Sequence, residues 1–303
     1  MTPEISVIIP SFNRAATILP TLMSVKDQTF ENFECIVVDD GSDDAGELEE
    51  VVASLNDPRF RVIHRENGGG GAARNTGIEA ATAPWIAFLD SDDLFLPEKL
   101  AVYRERFADA QETTVFYSQN LVDRGVEKRW VRPHHAIGPD EDVGEYMFVK
   151  NCFIQTSTIA VRTSFILRVM FDPTLRKGQD LDLCLRLSHA GAHFVMLAHP
   201  QSIWVDQSEE GRTSRHRGYE APLAWLDKSS PIMTPKAIRG YRATTLAYYM
   251  APEKPFKALS YILAGWMLAG VPLSITIRQI LRSFVPSETY RKLVNIVVRR
   301  AGV

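Results

Sequence analysis

Cysteine is scarce in this chain: Cys35, Cys152 and Cys184 are the only three among 303 residues, and no two stand in a CxxC spacing. An odd, scattered set excludes a disulfide framework and fits a reducing cytoplasm. The N-terminal segment has neither a basic n-region nor a long apolar h-region, so no secretory signal is expected. Net charge is also small, 34 Lys+Arg against 37 Asp+Glu, or −3. That balance argues against a whole-chain polyanion binder, and no nucleic-acid partner is expected. What is present is ordinary globular material: 45% hydrophobic and 23% charged residues, without internal repeat or low-complexity block. Disorder and a collagen-like repeat are excluded, and the length allows one large or two modest domains.

The first hundred residues alternate strand-like and helix-like segments. Ile5 to Ile9 is β-rich, after which Ile18, Leu22 and Val25 recur at helical spacing. Cys35 to Val38 is a second apolar run, followed by a helix face of Leu48, Val51, Val52 and Leu55. Phe60 to His64 predicts a third strand, Ala72 to Ala81 a helix, and Trp85 to Leu89 a fourth strand; Pro97 opens a helix carrying Leu100, Tyr103 and Phe107. Strands alternating with helices predict a mostly parallel, doubly wound α/β sheet, whose ligands bind outside the carboxyl ends of the strands. Beyond residue 110 the alternation loosens, with a strand expected at Ser157 to Val161 and a helix at Asp180 to Ala190.

The residues after those strands carry the chemistry. Asp90-Ser91-Asp92-Asp93 sets three carboxylates within four positions. Two such charges about 4 Å apart repel by about 1 kcal/mol in water and by about 4 at an effective dielectric of 20. A divalent cation would turn that cost into binding, and all-oxygen ligands suit Mg²⁺ or Mn²⁺; a solvated turn before the next helix is the alternative. Asn67 to Asn75 contains four consecutive glycines and formally satisfies G-x-G-x-x-A, the dinucleotide fingerprint. Two βα units precede it, whereas that fingerprint follows the first strand. A glycine loop at a helix N-terminus with Arg74 behind it also holds a diphosphate without a nicotinamide. Phe12, within Pro10-Ser11-Phe12-Asn13-Arg14, offers a face for a nucleobase or is a loop aromatic closing the core, and Asp39-Asp40-Gly41-Ser42-Asp43 offers carboxylates to base or ribose donors or forms a plain capped turn. Asp180 stands near a helix start, where a carboxylate is stabilised and either faces a site or serves as a plain cap; Asp182 and Arg186 make an i,i+4 pair.

Five blocks, Pro10-Ser11-Phe12-Asn13-Arg14, Val38-Asp39-Asp40-Gly41-Ser42-Asp43, Ala73-Arg74-Asn75-Thr76-Gly77, Leu89-Asp90-Ser91-Asp92-Asp93 and Gln179-Asp180-Leu181-Asp182-Leu183, occur in one order and spacing. In this the chain resembles the family 2 inverting glycosyltransferases of the GT-A fold over roughly residues 4 to 210. The resemblance implies a nucleotide-sugar donor, with uridine the expected base. It implies a donor site of Pro10, Ser11, Phe12, Asn13, Arg14, Asp39, Asp40, Asn67, Gly68, Arg74, Asn75, Asp90 and Ser91, with Phe12, Asp40 and Arg74 on the nucleotide. Asp90 and Asp92 become the DxD pair holding Mn²⁺ or Mg²⁺, Asp92 as the more direct ligand, and Asp180 the catalytic base. Two positions depart from the family pattern: Gln179 stands where the family has Glu, and Gln207 near a family His. The second leaves Asp206 and His216 as the other possible third ligands. The rivals are a nucleotide-sugar-binding protein without transfer activity and a dehydrogenase using the glycine run.

The domain division expected is 1–215, the GT-A domain, and 216–303, a mostly helical, basic extension. From Ala258 to Ile277 no charge occurs, and as one helix this stretch would match a bilayer core. Pro272 favours two shorter apolar helices. From Arg278 onward six basic residues face Glu288 alone, a net of +5. Such a tail suits an anionic membrane surface from the cytoplasmic side, or equally a packed cap or homodimer interface. The acceptor expected is a saccharide or a lipid-linked one, in cell-surface polysaccharide or glycolipid synthesis.

Overall fold

The computed structural model describes residues 2–206 and 218–301. Two compact units divide it: Met1–Gly125 with Trp130–Arg132 and Ile154–Gln207 form the first, and Val126–Arg129, Pro133–Phe153 and Ser208–Val303 the second. Each is described by itself.

The first unit opens with β1 (Ile5–Ser11), α1 (Leu19–Lys26), β2 (Phe33–Asp39), α2 (Ala45–Ser54), β3 (Phe60–His64), α3 (Gly70–Ala80) and β4 (Trp85–Phe88). β3-β2-β1-β4 pair in parallel, so the strand order reverses at β1. Side chains alternate across this sheet with period two. Ile5, Val7 and Ile9 enter one core with Ile18 and Leu22 of the first crossover and Leu48 of α2, while Ile36 and Val38 enter another with Ala73 of α3. Helices therefore cover both faces. On the α3 side the approach is closest at Gly77, where a Cβ would stand 2.4 Å from Ile8 Cγ2; only glycine fits there.

Beyond β4 the sheet becomes mixed. β5 (Leu94–Phe95), α4 (Lys99–Phe107), β6 (Thr114–Asp123) and β7 (Trp130–Arg132) follow in sequence; α5 (Val143–Phe148) belongs to the second unit. The chain then returns to the sheet with β8 (Ala160–Arg162), α6 (Thr163–Val169), α7 (Gln179–His189) and β9 (His193–Val205). β8 lies antiparallel between β4 and β6, and β6 pairs in parallel with β9. The strand expected over 157–161 is confined to β8. Thr156–Thr158 is instead a turn of 3-10 helix, because Ser157 Oγ donates to the Asp93 carboxylate at 2.7 Å and Thr158 Oγ1 to the Gln155 carbonyl at 2.7 Å, local bonds that compete with a ladder.

The second unit is helical: α8 (Glu220–Ser229), α9 (Pro235–Tyr241), α10 (Ala247–Met250), α11 (Pro255–Ala269), α12 (Leu273–Phe284) and α13 (Ser287–Ala301). A π-helical segment, Arg242–Leu246, joins α9 to α10. The uncharged stretch breaks where proline requires, with α11 ending at Gly270 in the left-handed region (φ 73°) and Pro272 preceding α12. No helix among the described residues is long and apolar enough to cross a membrane.

Candidate active site

The loops leaving β1, β2 and β4 are tied to one another and to α7. After β1, Asn13 takes φ 51°, a conformation asparagine tolerates, and its side chain accepts from Asp43 N at 2.8 Å while its own N–H donates to Ser42 Oγ at 2.8 Å. Ala15 N donates to Asp44 at 2.9 Å. These bonds hold the 10–14 and 39–44 segments as one wall, with Phe12 left about half exposed (49%) on it. A large apolar ring kept in water on a pinned loop is free to stack on a planar ligand.

Asp39 and Asp40 are both buried and do different work. Asp39 accepts from Ser42 N at 3.3 Å and meets His64 Nδ1 at 3.0 Å, and His64 Nε2 meets Glu49 at 2.7 Å. Asp39 first, then Glu49, pushes the His64 imidazole above its ordinary value. Asp40 pairs with Arg65 and accepts from Gly68 N at 3.0 Å and Gly69 N at 2.7 Å, while Asn67 Nδ2 donates to its carbonyl at 2.8 Å. Two of the N–H groups read from sequence as a diphosphate cradle thus point at a carboxylate. Gly69 (φ 88°) makes the turn into α3.

On α3, Arg74 is almost fully buried. It donates to Gln179 Oε1 at 2.6 Å, pairs with Asp90, and lies 5.3 Å from the Phe171 ring. Gln179 is fixed by donating to the Leu175 carbonyl at 2.6 Å. A neutral amide at 179 orients the guanidinium without neutralising it, so that role falls to Asp90. Asn75 exchanges two bonds with the Phe171 backbone, at 2.8 and 2.9 Å, and acts as a latch between α3 and the segment before α7.

The 90–93 turn splits its carboxylates. Asp92 is exposed and lies within 3.8 Å of Arg14, while Asp90 is part-buried against Arg74. Asp93 turns inward and is buried, accepting from Val205 N at 3.2 Å, Ser157 Oγ and Gln155 Nε2. Burial first, then the charges of Asp90 and Asp92, pushes its carboxyl well above the usual range. Ser157 Oγ also accepts from Asp90 N at 3.0 Å, and Thr21 Oγ1 donates to the carbonyls of Ser91 and Asp93 at 3.0 and 2.9 Å. The turn is therefore pinned from beneath, and Asp93 is its buried anchor.

Asp180 stands in the first turn of α7, accepting from Leu181 N at 2.9 Å. Burial raises its pKa to about 6; the Leu181 N–H and Arg74 oppose this, and Asp90 adds to it. Asp180, Asp90, Arg74 and Gln179 are thus one electrostatic cluster. Asp182 instead pairs with Arg186, as the i,i+4 spacing implies, and Asp206 pairs with Arg124. Gln207 and His216 lie outside the described residues.

Three buried polar atoms around these loops lack a partner, Ser11 Oγ, Asp44 Oδ1 and Arg74 Nε, and such atoms call for a ligand or water. No group of three His, Cys, Asp or Glu side chains capable of caging a metal occurs among the described residues. Asp90 and Asp92, neither fully buried, fit a cation of the kind that borrows its remaining oxygens from a substrate diphosphate. Arg65 and the anchoring role of Asp93 escaped the sequence reading. Arg65 directly follows β3 and precedes the glycine run, the one signal that could have found it.

A family model, "Glycosyl transferase family 2", matches residues 6–172. The chain belongs to that family. Among its relatives, the amylovoran biosynthesis glycosyltransferase AmsB of Erwinia amylovora is 33% identical over 249 residues, 80% of this chain and 82% of AmsB. An uncharacterized glycosyltransferase of Rickettsia felis is 32% identical over 194 residues, 63% of this chain but only 31% of that longer protein. Among solved structures, that of S. aureus TarS 1–349 in complex with UDP-GlcNAc superimposes with a TM-score of 0.68 at 17% identity, covering 99% of this chain and 92% of the other. That likeness establishes the fold: the α/β sheet with C-terminal helices is the one the family resemblance implies.

Proposed function

We propose that the protein transfers a sugar from a UDP-linked donor to an acceptor hydroxyl with inversion at the anomeric carbon, in the assembly of a polysaccharide or lipid-linked glycan. The observation that carries this is the cluster of Asp180, Asp90 and Arg74: a carboxylate of pKa about 6 beside groups suited to a diphosphate. The AmsB likeness and the UDP-GlcNAc complex of a protein of the same fold support the substrate class.

In this reading Phe12 stacks on the base, and Arg74, oriented by Gln179, meets the diphosphate with the Nε that lacks a partner. Asp180 accepts the acceptor hydroxyl proton as that oxygen attacks, a single displacement that inverts configuration. A base of pKa about 6 is mostly ionised at neutral pH yet basic enough to share a proton in the transition state. Asp90 and Asp92 would hold Mn²⁺ or Mg²⁺. When bound, the cation supplies charge neutralisation for the departing diphosphate.

The test is release of UDP from a panel of UDP-sugars by the purified protein, with and without chelator. Release that stops with chelator and returns with Mn²⁺ or Mg²⁺ is expected. Full activity in excess chelator refutes the cation, and no release from any nucleotide-sugar, with acceptor extracts added, refutes the function.

A further inference from the structure

The second unit carries a helix that is inside out. On α12 Leu273, Ile277, Leu281 and Phe284 are turned to water, 39–55% exposed, beside the exposed Ser274 and Arg282, while Thr276 and Gln279 are buried. The spacing of four, four and three puts the apolar four on one face. Beneath it both amide atoms of Gln279, and Ser283 Oγ, have no partner. A helix shaped for water shows the opposite arrangement. α13 repeats the theme with Leu293, Ile296 and Val297, 45–51% exposed, bordered by the exposed Lys292, Arg299 and Arg300. Trp266, Met267 and Leu268, also exposed, end α11 just before the turn into Leu273.

We propose that α12 and α13 dock the protein on an anionic phospholipid bilayer. Apolar faces edged with Lys and Arg are the pattern of helices that lie in the headgroup region. Of the six basic residues from Arg278 onward, Arg282, Lys292, Arg299 and Arg300 are exposed, against Glu288 alone, which complements a negative surface. The helices lie on the bilayer and do not enter it: α11 and α13, the longest of this group at 15 residues, reach about 22 Å against a hydrocarbon core of about 30 Å. A second copy is the poorer occupant, since a two-fold contact sets each patch against itself, basic flank to basic flank. The inference is independent of the catalytic reading.

The experiment is co-sedimentation of the full chain with vesicles of phosphatidylcholine alone or with roughly one-third phosphatidylglycerol. Pelleting with the anionic vesicles only, weakened by salt, is expected. I277E/L281E should fall to background. K292Q/R299Q/R300Q, changing exposed side chains, should lower the partition coefficient about 10²-fold, about fivefold per residue. Wild-type melting temperature serves as the folding control, and the salt titration of the wild-type chain stands should a variant not fold. Equal pelleting with both vesicle types, or none, overturns the proposal; so does a concentration-dependent dimer that I277E/L281E abolishes, which gives the face to a second copy.

Discussion

Asp180 carries the most demanding prediction, because its environment fixes both a pH profile and a stability change. Burial is the largest influence, raising its pKa from 3.8 to about 6. As the base, it must be ionised in the free enzyme, so kcat/KM should rise with pH through about 6 and fall about tenfold from pH 7 to pH 5. The two charged neighbours give opposite signs. Arg74 lowers the value and Asp90 raises it, so Arg74→Ala should move the acid limb to higher pH and Asp90→Asn to lower pH, whatever each does to the maximum rate. Linkage fixes the rest. The folded carboxyl binds its proton more tightly than the unfolded one, so stability falls as pH rises from about 4 to about 6 and stays reduced above. Asp180→Asn removes that penalty, at most about 3 kcal/mol at 1.4 per pH unit, and should melt higher at pH 7.5 than the wild-type chain while losing about 10²–10⁴-fold in turnover with donor binding kept. Initial rates across pH 4.5–8 and melting curves at both ends of that range check it. A flat profile, or a turnover within a few-fold of wild type in Asp180→Asn, would refute the assignment.

Asp93→Ala removes the acceptor of Gln155 Nε2 and Ser157 Oγ, both buried, at about 1–3 kcal/mol for each; melting should drop by several degrees, and Asp93→Asn should recover part of it. His64, whose pKa is raised by Asp39 and then Glu49, contributes stability fully present below about 6.5 and lost as pH rises through its raised folded value. Melting temperatures from pH 6 to 9 should show that loss in the wild-type chain and not in His64→Gln. Gly77→Ala puts a methyl 2.4 Å from Ile8 Cγ2; denaturant unfolding should find it about 1–3 kcal/mol less stable, with α3 pushed off the sheet.

The parallel half of the sheet was legible because β1 to β4 write their burial into sequence as short apolar runs closed by Pro10, Asp40 and Asp90. Beyond β4 only β8 was marked, by the strand expected over 157–161; β5 is two residues long, too short for periodicity to register, and β9 loses its alternation at the irregularity against β6 beside His199 (φ 70°). The inclusion of Pro133–Phe153 in the helical unit is a matter of long-range packing that no local pattern announces. At the site, residue types reveal which carboxylates exist but not which way they face: Asp90, Asp92 and Asp93 read alike, and only the Gln155–Ser157 turn beneath them explains why the third is buried. Asp40 likewise reads as a ligand contact, while its partners Arg65, Gly68 and Gly69 emerge only when β2 and β3 are laid side by side.

The most direct test of the donor site is a crystal structure of the chain soaked with UDP and Mn²⁺. The uracil ring is expected against Phe12, the diphosphate within reach of Arg74, and the cation on Asp90 and Asp92, with Asp180 left uncovered by the nucleotide on the acceptor side. UDP bound away from the loops that follow β1, β2 and β4, or a diphosphate held without Asp90, Asp92 or Arg74, would contradict it.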